Sequence, residues 1–160
     1  MSKKTITIER RYQASVEDVW ELWATKEGIE SWWGPEGFTV TVSTLDLRSG
    51  GTMEGAMTAT GAEQIAFMKS IGMPLSSALH LKYTEVVAQK RIAYTTLADF
   101  IPGVDPYDVG TAVDFYATEG GVRMVITVDA MHDEVWTQRM VAGKEGELVK
   151  LERILAARAR

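Results

Sequence analysis

The chain has 160 residues, 46% of them hydrophobic, and a formal net charge of −5 with both signs interspersed. A chain of this size buries roughly 70% of the surface that its unfolded form exposes, so disorder is excluded and one core is expected. The acidic balance excludes the clustered basic face of a nucleic-acid binder, and the lack of cysteine excludes disulfides, thiol catalysis and cysteine-ligated metals.

Lys3-Lys4 and the terminal Arg158-Ala-Arg160 are too short to alter that balance. No apolar leader precedes the first strand, and no run approaches the roughly 20 apolar residues of a membrane span. The expectation is a cytoplasmic chain without a membrane partner, forming a single domain over 1–160.

Thr5-Ile-Thr-Ile8 alternates with period two and predicts a strand running to about Tyr12. Ser15 then starts a helix, with Asp18 three residues on as a capping partner. Val16, Val19, Trp20 and Trp23 give that helix one apolar face. A second short helix carries Ile29, Trp32 and Trp33, and Gly34-Pro35 stops it. Phe38–Val42 alternates again, and its phase slips at Leu45 and Leu47, which predicts a bulge. Gly50-Gly51 turns the chain into a strand bearing Met53, Gly55 and Met57 on one face.

Between Gly61 and Pro74 the pattern changes. Ile65, Met68 and Ile71 have helical spacing, with Gly72 past the end. The expectation is a short helix lying as a lid across a cavity mouth, its stripe toward Trp136 or Met140. Two hairpins follow: Leu79–Val87 with Arg91–Ala98, and Thr111–Thr118 with Val122–Ala130 around Gly120-Gly121. Pairing Glu119 with Val122 puts Val113, Phe115, Met124, Ile126 and Val128 on one face. Residues 99–108 form a loop with two prolines. From Asp133 onward the chain reads as one long helix, its apolar side including Trp136, Met140, Leu148, Leu151 and Leu155, interrupted by Gly143 and Gly146.

Three stretches carry a family resemblance. Val19-Trp20 followed by Trp32-Trp33-Gly34-Pro35-Glu-Gly37-Phe38 resembles the bacterial domains called activator of heat-shock-protein-90 ATPase homologues, Aha-type members of the START-like (SRPBCC) superfamily. Asp46-Leu-Arg-Ser-Gly50-Gly51 resembles that family's Asp-x-Arg-Pro-Gly-Gly turn, and Gly120-Gly-Val-Arg123-Met its Gly-Gly-Thr-Arg-Leu hairpin. The chain departs from the pattern at Ser49, at Ala88-Gln89, and at Gly143-Lys144, where the family commonly has Gly-Trp. The resemblance implies an α+β helix-grip fold, a curved antiparallel sheet around the long last helix with an apolar cavity between them. The family name does not by itself transfer a chaperone activity, because the eukaryotic co-chaperones carry an additional N-terminal domain.

Candidate chemistry is sparse. His80 and His132 lack carboxylates at metal-completing helical spacings, and no cofactor motif is present, so no cofactor, metal or catalytic residue is assigned. Tyr83, Glu85 and Tyr94 lie on adjacent strands. With His80 they define an alternative, an enzyme of the cyclase/dehydratase type. Ser76-Ser77 lacks a partnered base. The preferred reading is a binding protein for a small hydrophobic or aromatic ligand, held between sheet and last helix. Its expected aromatic wall is Trp33, Phe38, Tyr83, Tyr94, Phe115 and Trp136. Flexible, polarizable methionines complete it: Met53, Met57, Met68, Met124 and Met140. A further alternative, a chaperone-linked interaction module, predicts an exposed apolar patch instead of an enclosed cavity. The oligomeric state stays open.

Overall fold

The structure, a computed structural model, describes residues 4–99, 101 and 103–158. Lys3, Arg160, and the Phe100 and Pro102 of the expected loop fall outside them. The elements run β1 (Thr5–Tyr12), α1 (Val16–Ala24), α2 (Lys26–Trp32), β2 (Phe38–Leu45), β3 (Thr52–Ala59), α3 (Ala62–Ser70), β4 (Ser76–Val87), β5 (Arg91–Ala98), β6 (Tyr107–Thr118), β7 (Gly121–Asp129) and α4 (Glu134–Arg158). The strands form one antiparallel sheet in the order β1-β7-β6-β5-β4-β3-β2. Every neighbouring pair except β1–β7 is consecutive in sequence, and α1 and α2 carry the chain from one edge of the sheet to the other. Leu148, Leu151 and Leu155 of α4 pack with Val19, Leu22 and the inward residues of the sheet in one main cluster. This is the helix-grip arrangement.

Local chemistry accounts for the element ends. The Ser15 hydroxyl accepts the Asp18 N–H and caps α1. Thr25 both ends α1, where its own N–H bonds the Glu21 carbonyl, and starts α2, where its hydroxyl accepts the Gly28 N–H. One residue thus bends the chain between two helices without stranding backbone groups. The Asp133 carboxylate accepts the Trp136 N–H at the start of α4. The buried Thr137 hydroxyl ties that first turn to the Met131 N–H.

The bulge expected near Leu45 falls between Val42 and Thr44 in the β2–β3 ladder. The second hairpin differs in register from the expectation. Thr118 pairs with Gly121, so the turn residues are Glu119 and Gly120, one position earlier than Gly120-Gly121. Gly120 has φ +83°, and a Cβ on Gly121 would lie 2.0 Å from the Tyr12 carbonyl oxygen. Positive φ and close approach to β1 therefore each require one of the two glycines. Each partner has moved by two residues, which preserves the face. Val113, Phe115, Met124, Ile126 and Val128 still point inward, and all are buried.

A smaller cluster sits beyond the main one. Ala98, Ile101, Val109 and Val128 are buried there, with Tyr107, Trp136 and Met140 packed against them. β6 begins at Tyr107, four residues earlier than its apolar alternation suggests, because Val109 serves this second cluster.

α3 corrects the expectation of a lid. It contains no buried residue, packs against β3, and belongs to neither cluster, whereas Trp136 and Met140 sit in the second one. Ile71 is 53% exposed. The apolar spacing predicted the helix, but it does not serve as a buried stripe.

Candidate functional site

The main cluster contains a chain of aromatic rings. Trp23 meets Trp32 at 4.7 Å and Trp33 at 6.1 Å between centroids, and Trp33 meets Tyr94 at 6.0 Å. Phe115 joins through Trp20 and Trp23, and Tyr83 through Tyr94. Trp23 comes from α1 and Trp32 from α2, while Trp33 is the residue that ends α2. Gly34, at φ +90°, then turns the chain toward β2.

Trp23, Trp32, Trp33 and Tyr94 surround a cavity of about 30 Å³ under α4, with Ile126 and Leu148 completing its apolar lining. A drug-sized ligand site measures about 300–1,000 Å³, and a hole near 30 Å³ suits one or two waters. The open apolar cavity expected between sheet and helix is therefore largely filled by its own side chains. Met53 and Met124 are fully buried core, and Tyr83 and Phe115 are buried beside them.

Two charged residues of α4 line the same cavity, Lys144 and Glu147. Each keeps part of its surface exposed while being surrounded by protein on most sides. Burial pushes the Glu147 carboxyl above the usual carboxylate range; Lys144, the Gly34 N–H and Lys150 oppose that shift without cancelling it. Burial also disfavours the charge of Lys144. The neighbouring Tyr94 and Glu147 outweigh it, however, and hold the ammonium above its ordinary value.

One peptide unit ties this helix to the aromatic wall. The Gly34 N–H donates to Glu147 Oε2 at 2.7 Å, and Lys150 Nζ donates to the Gly34 carbonyl at 2.8 Å. Residues 147 and 150 are one helical turn apart, so α4 grips both polar groups of Gly34 at once.

The three tryptophans differ in their polar atoms. Trp32 Nε1–H donates to the Leu22 carbonyl at 2.7 Å. The indole nitrogens of Trp23 and Trp33 are buried and have no hydrogen-bond partner in the protein. Trp23 is 4% exposed. Buried donors are nearly always paired in native structures, so two orphans around one cavity mark an unusual place.

Of the site residues read from the sequence, the structure brings Trp33 and Tyr94 to the cavity. Tyr83, Phe115, Met53, Met57 and Met124 pack in the cluster around it. Phe38 is half-buried at the start of β2, with its Cβ 3.6 Å from where a side chain on Gly34 would begin. Met68 lies apart on α3, and Trp136 and Met140 belong to the second cluster. Trp23, Trp32, Lys144 and Glu147 were missed. A signal for Lys144 exists. It stands four residues before Leu148, seven before Leu151 and eleven before Leu155, so a charge occupies the apolar stripe.

The residues of the enzymatic alternative disperse. A shift in the β4–β5 ladder between Tyr83 and Glu85 leaves Tyr83 buried and Glu85 exposed, paired with Arg91 at 2.8 Å. His80 is exposed beside Glu54. Among the described residues, no group of three or more metal-binding side chains converges.

Residues 13–156 match the family described as activator of Hsp90 ATPase homolog 1-like protein. Solved structures share the fold. A protein from Chromobacterium violaceum is 24% identical, with 94% of this chain and 96% of that one covered and a TM-score of 0.75. An AHSA1-like protein from Aeromonas hydrophila is 22% identical, with 98% and 94% covered and a TM-score of 0.76. An AHSA1 protein from Silicibacter pomeroyi is 18% identical, with 97% and 99% covered and a TM-score of 0.75. No curated protein sequence matches the chain. No helix among the described residues is long and apolar enough to cross a membrane.

Proposed function

The chain belongs to the family of activator of Hsp90 ATPase homolog 1-like proteins, and from that premise we propose that it binds a small, mostly apolar or aromatic molecule between its sheet and α4, without covalent chemistry. One observation carries this reading: the cavity bounded by three tryptophans and Tyr94 also holds Lys144 and Glu147. A core selected for stability alone gains nothing from such groups. Burying charges and leaving N–H donors unpaired costs several kcal/mol in order of magnitude. Their presence beneath α4 fits a site whose contents are exchangeable.

Because the space is small, a ligand displaces a wall residue on entry. Trp33 is the partly buried wall, at a chain turn, and the α4 hydrogen bonds hold its neighbour Gly34. Native mass spectrometry of the chain purified from its own host tests the proposal. A retained small molecule, lost on denaturation, supports it. A bare polypeptide mass, together with unchanged tryptophan fluorescence across a panel of aromatic compounds, defeats it.

A second reading has its own observation. Phe67 and Ile71 of α3 and its following segment, with Met73 just beyond, are 60%, 53% and 50% exposed. Such a surface suits a protein partner. Stimulation of a host chaperone's ATP hydrolysis, abolished by Phe67→Ser, is the result this reading requires.

A further inference from the structure

The polar groups around the cavity are unequally engaged, and that inequality describes what fits between them. Trp32 has spent its indole N–H on the Leu22 carbonyl. Glu147 has spent Oε2 on the Gly34 N–H. Tyr94 lines the cavity beside Lys144 and favours its charged form. The indole N–H groups of Trp23 and Trp33 remain, both of them donors, both buried and unpartnered. A tryptophan N–H donates and never accepts, and an ammonium does the same. The site therefore offers two orphaned donors and a donor-rich cation against one remaining acceptor, Glu147 Oε1.

Charge points the same way. Lys144 lines the cavity and Lys150 holds its rim at Gly34, against the single carboxylate of Glu147. With Glu147 ionised the local sum is one positive charge, and with Glu147 neutral it is two. A cationic ligand meets one carboxylate oxygen with two lysines beside it, whereas a neutral acceptor or an anion finds three donors.

We infer that the ligand of this site carries a terminal acceptor oxygen, a carbonyl or carboxylate on an otherwise apolar aromatic body, received by Trp23 Nε1–H, Trp33 Nε1–H and the Lys144 ammonium. The inference rests on the binding reading above and names the class of molecule it applies to. The rings supply area and little selectivity between apolar shapes. The donors supply discrimination, because a shape-matched hydrocarbon leaves them unpaired in a dry site.

Two probes of nearly the same shape separate the effects. Acetophenone and isopropenylbenzene differ in that a carbonyl oxygen replaces a methylene. Each is titrated into the full chain and followed by calorimetry and by the indole N–H resonances. Acetophenone should bind at least about tenfold more tightly, the order expected of one well-made buried hydrogen bond. It should also move the Trp23 and Trp33 indole signals downfield more than that of Trp32. Benzoate should bind, and benzylammonium should not. Equal affinity for the two isosteres, or stronger binding of benzylammonium than of acetophenone, overturns the acceptor-oxygen inference while leaving a binding site in place. Binding of none of the four at millimolar concentration overturns the binding reading with it. Lys144→Met should weaken benzoate more than acetophenone; the wild-type isostere pair decides the question even if that variant does not fold.

Discussion

At the scale of single residues, two carboxylates respond to pH in opposite directions. Glu30 accepts the Val42 N–H at 2.8 Å and pairs with Lys26, and these contacts, the backbone bond first, lower its pKa. Its contribution to stability is present above the ordinary value of 4.5 and is lost as pH falls. Glu147 is the reverse. Burial raises its pKa, so its contribution is full below 4.5 and is lost as pH rises through the raised value. Glu147→Gln keeps an acceptor for the Gly34 N–H and removes the ionisation. The variant should gain on the wild type as pH rises from about 4 to about 7, read as the difference in urea midpoints. A constant difference across that range means that Glu147 titrates as an ordinary surface carboxyl.

The elements show two weak places of different kinds. α4 runs for 25 residues with Gly143 and Gly146 inside it, flanking Lys144 and close to Glu147. Neither glycine faces a close neighbour, since a Cβ built on each has nothing within 4 Å. Gly143→Ala and Gly146→Ala should therefore each stabilise the chain by about 0.8–1 kcal/mol through helix propensity, measured by urea unfolding. Loss of stability in either variant means that the helix uses the glycine's flexibility at the site. α3 is weak because little anchors it beyond its packing against β3: nine residues, none buried, and no side-chain cap at Gly61. Short helices without packing have little stability of their own. Its amides, residues 62–70, should exchange faster than those of Val113–Phe115. Addition of acetophenone should leave them unprotected, because α3 does not reach the cavity. Protection of α3 by that probe restores the lid arrangement expected from its sequence.

At the scale of the whole molecule, two kinds of contact join α4 to the rest besides its hydrogen bonds to Gly34. Its inner face enters the main cluster through Leu148, Leu151 and Leu155. Its outer face carries ion pairs to β1, to the segment before β2 and to α1: Arg10–Glu145, Arg153–Glu36 and Arg158–Glu21. All six partners are more than a third exposed. Exposed pairs contribute about 0–1 kcal/mol and are screened by salt. Raising salt from about 0.01 M to about 1 M shortens the Debye length from about 30 Å to about 3 Å. The thermal midpoint should still fall by no more than about 2–4 °C for each pair, the shift produced by about 1 kcal/mol in a chain of this size. A larger fall places the grip of α4 in its charges and not in its leucines.

Alternation of polar and apolar residues, helix caps and turn glycines determined the strands, the four helices and the fold, because each of these signals acts within a few residues of chain. Thr5–Tyr12 and Arg91–Ala98 match their expected limits for that reason. The inward face of β6 and β7 was legible even with the turn misplaced by one residue, since the face depends only on the period of two. That Trp33 and Tyr94 line the cavity was legible because large aromatics of this fold meet under the last helix. Tertiary structure alone decided the rest. Whether space remains between sheet and helix depends on side chains summed from α1, α2, β5, β7 and α4, and no local pattern contains that sum. Spacing places Lys144 in the leucine stripe, but only the packing of α4 sets it against the tryptophans, and Glu147 is enclosed because Gly34, 113 residues away in sequence, folds back onto it.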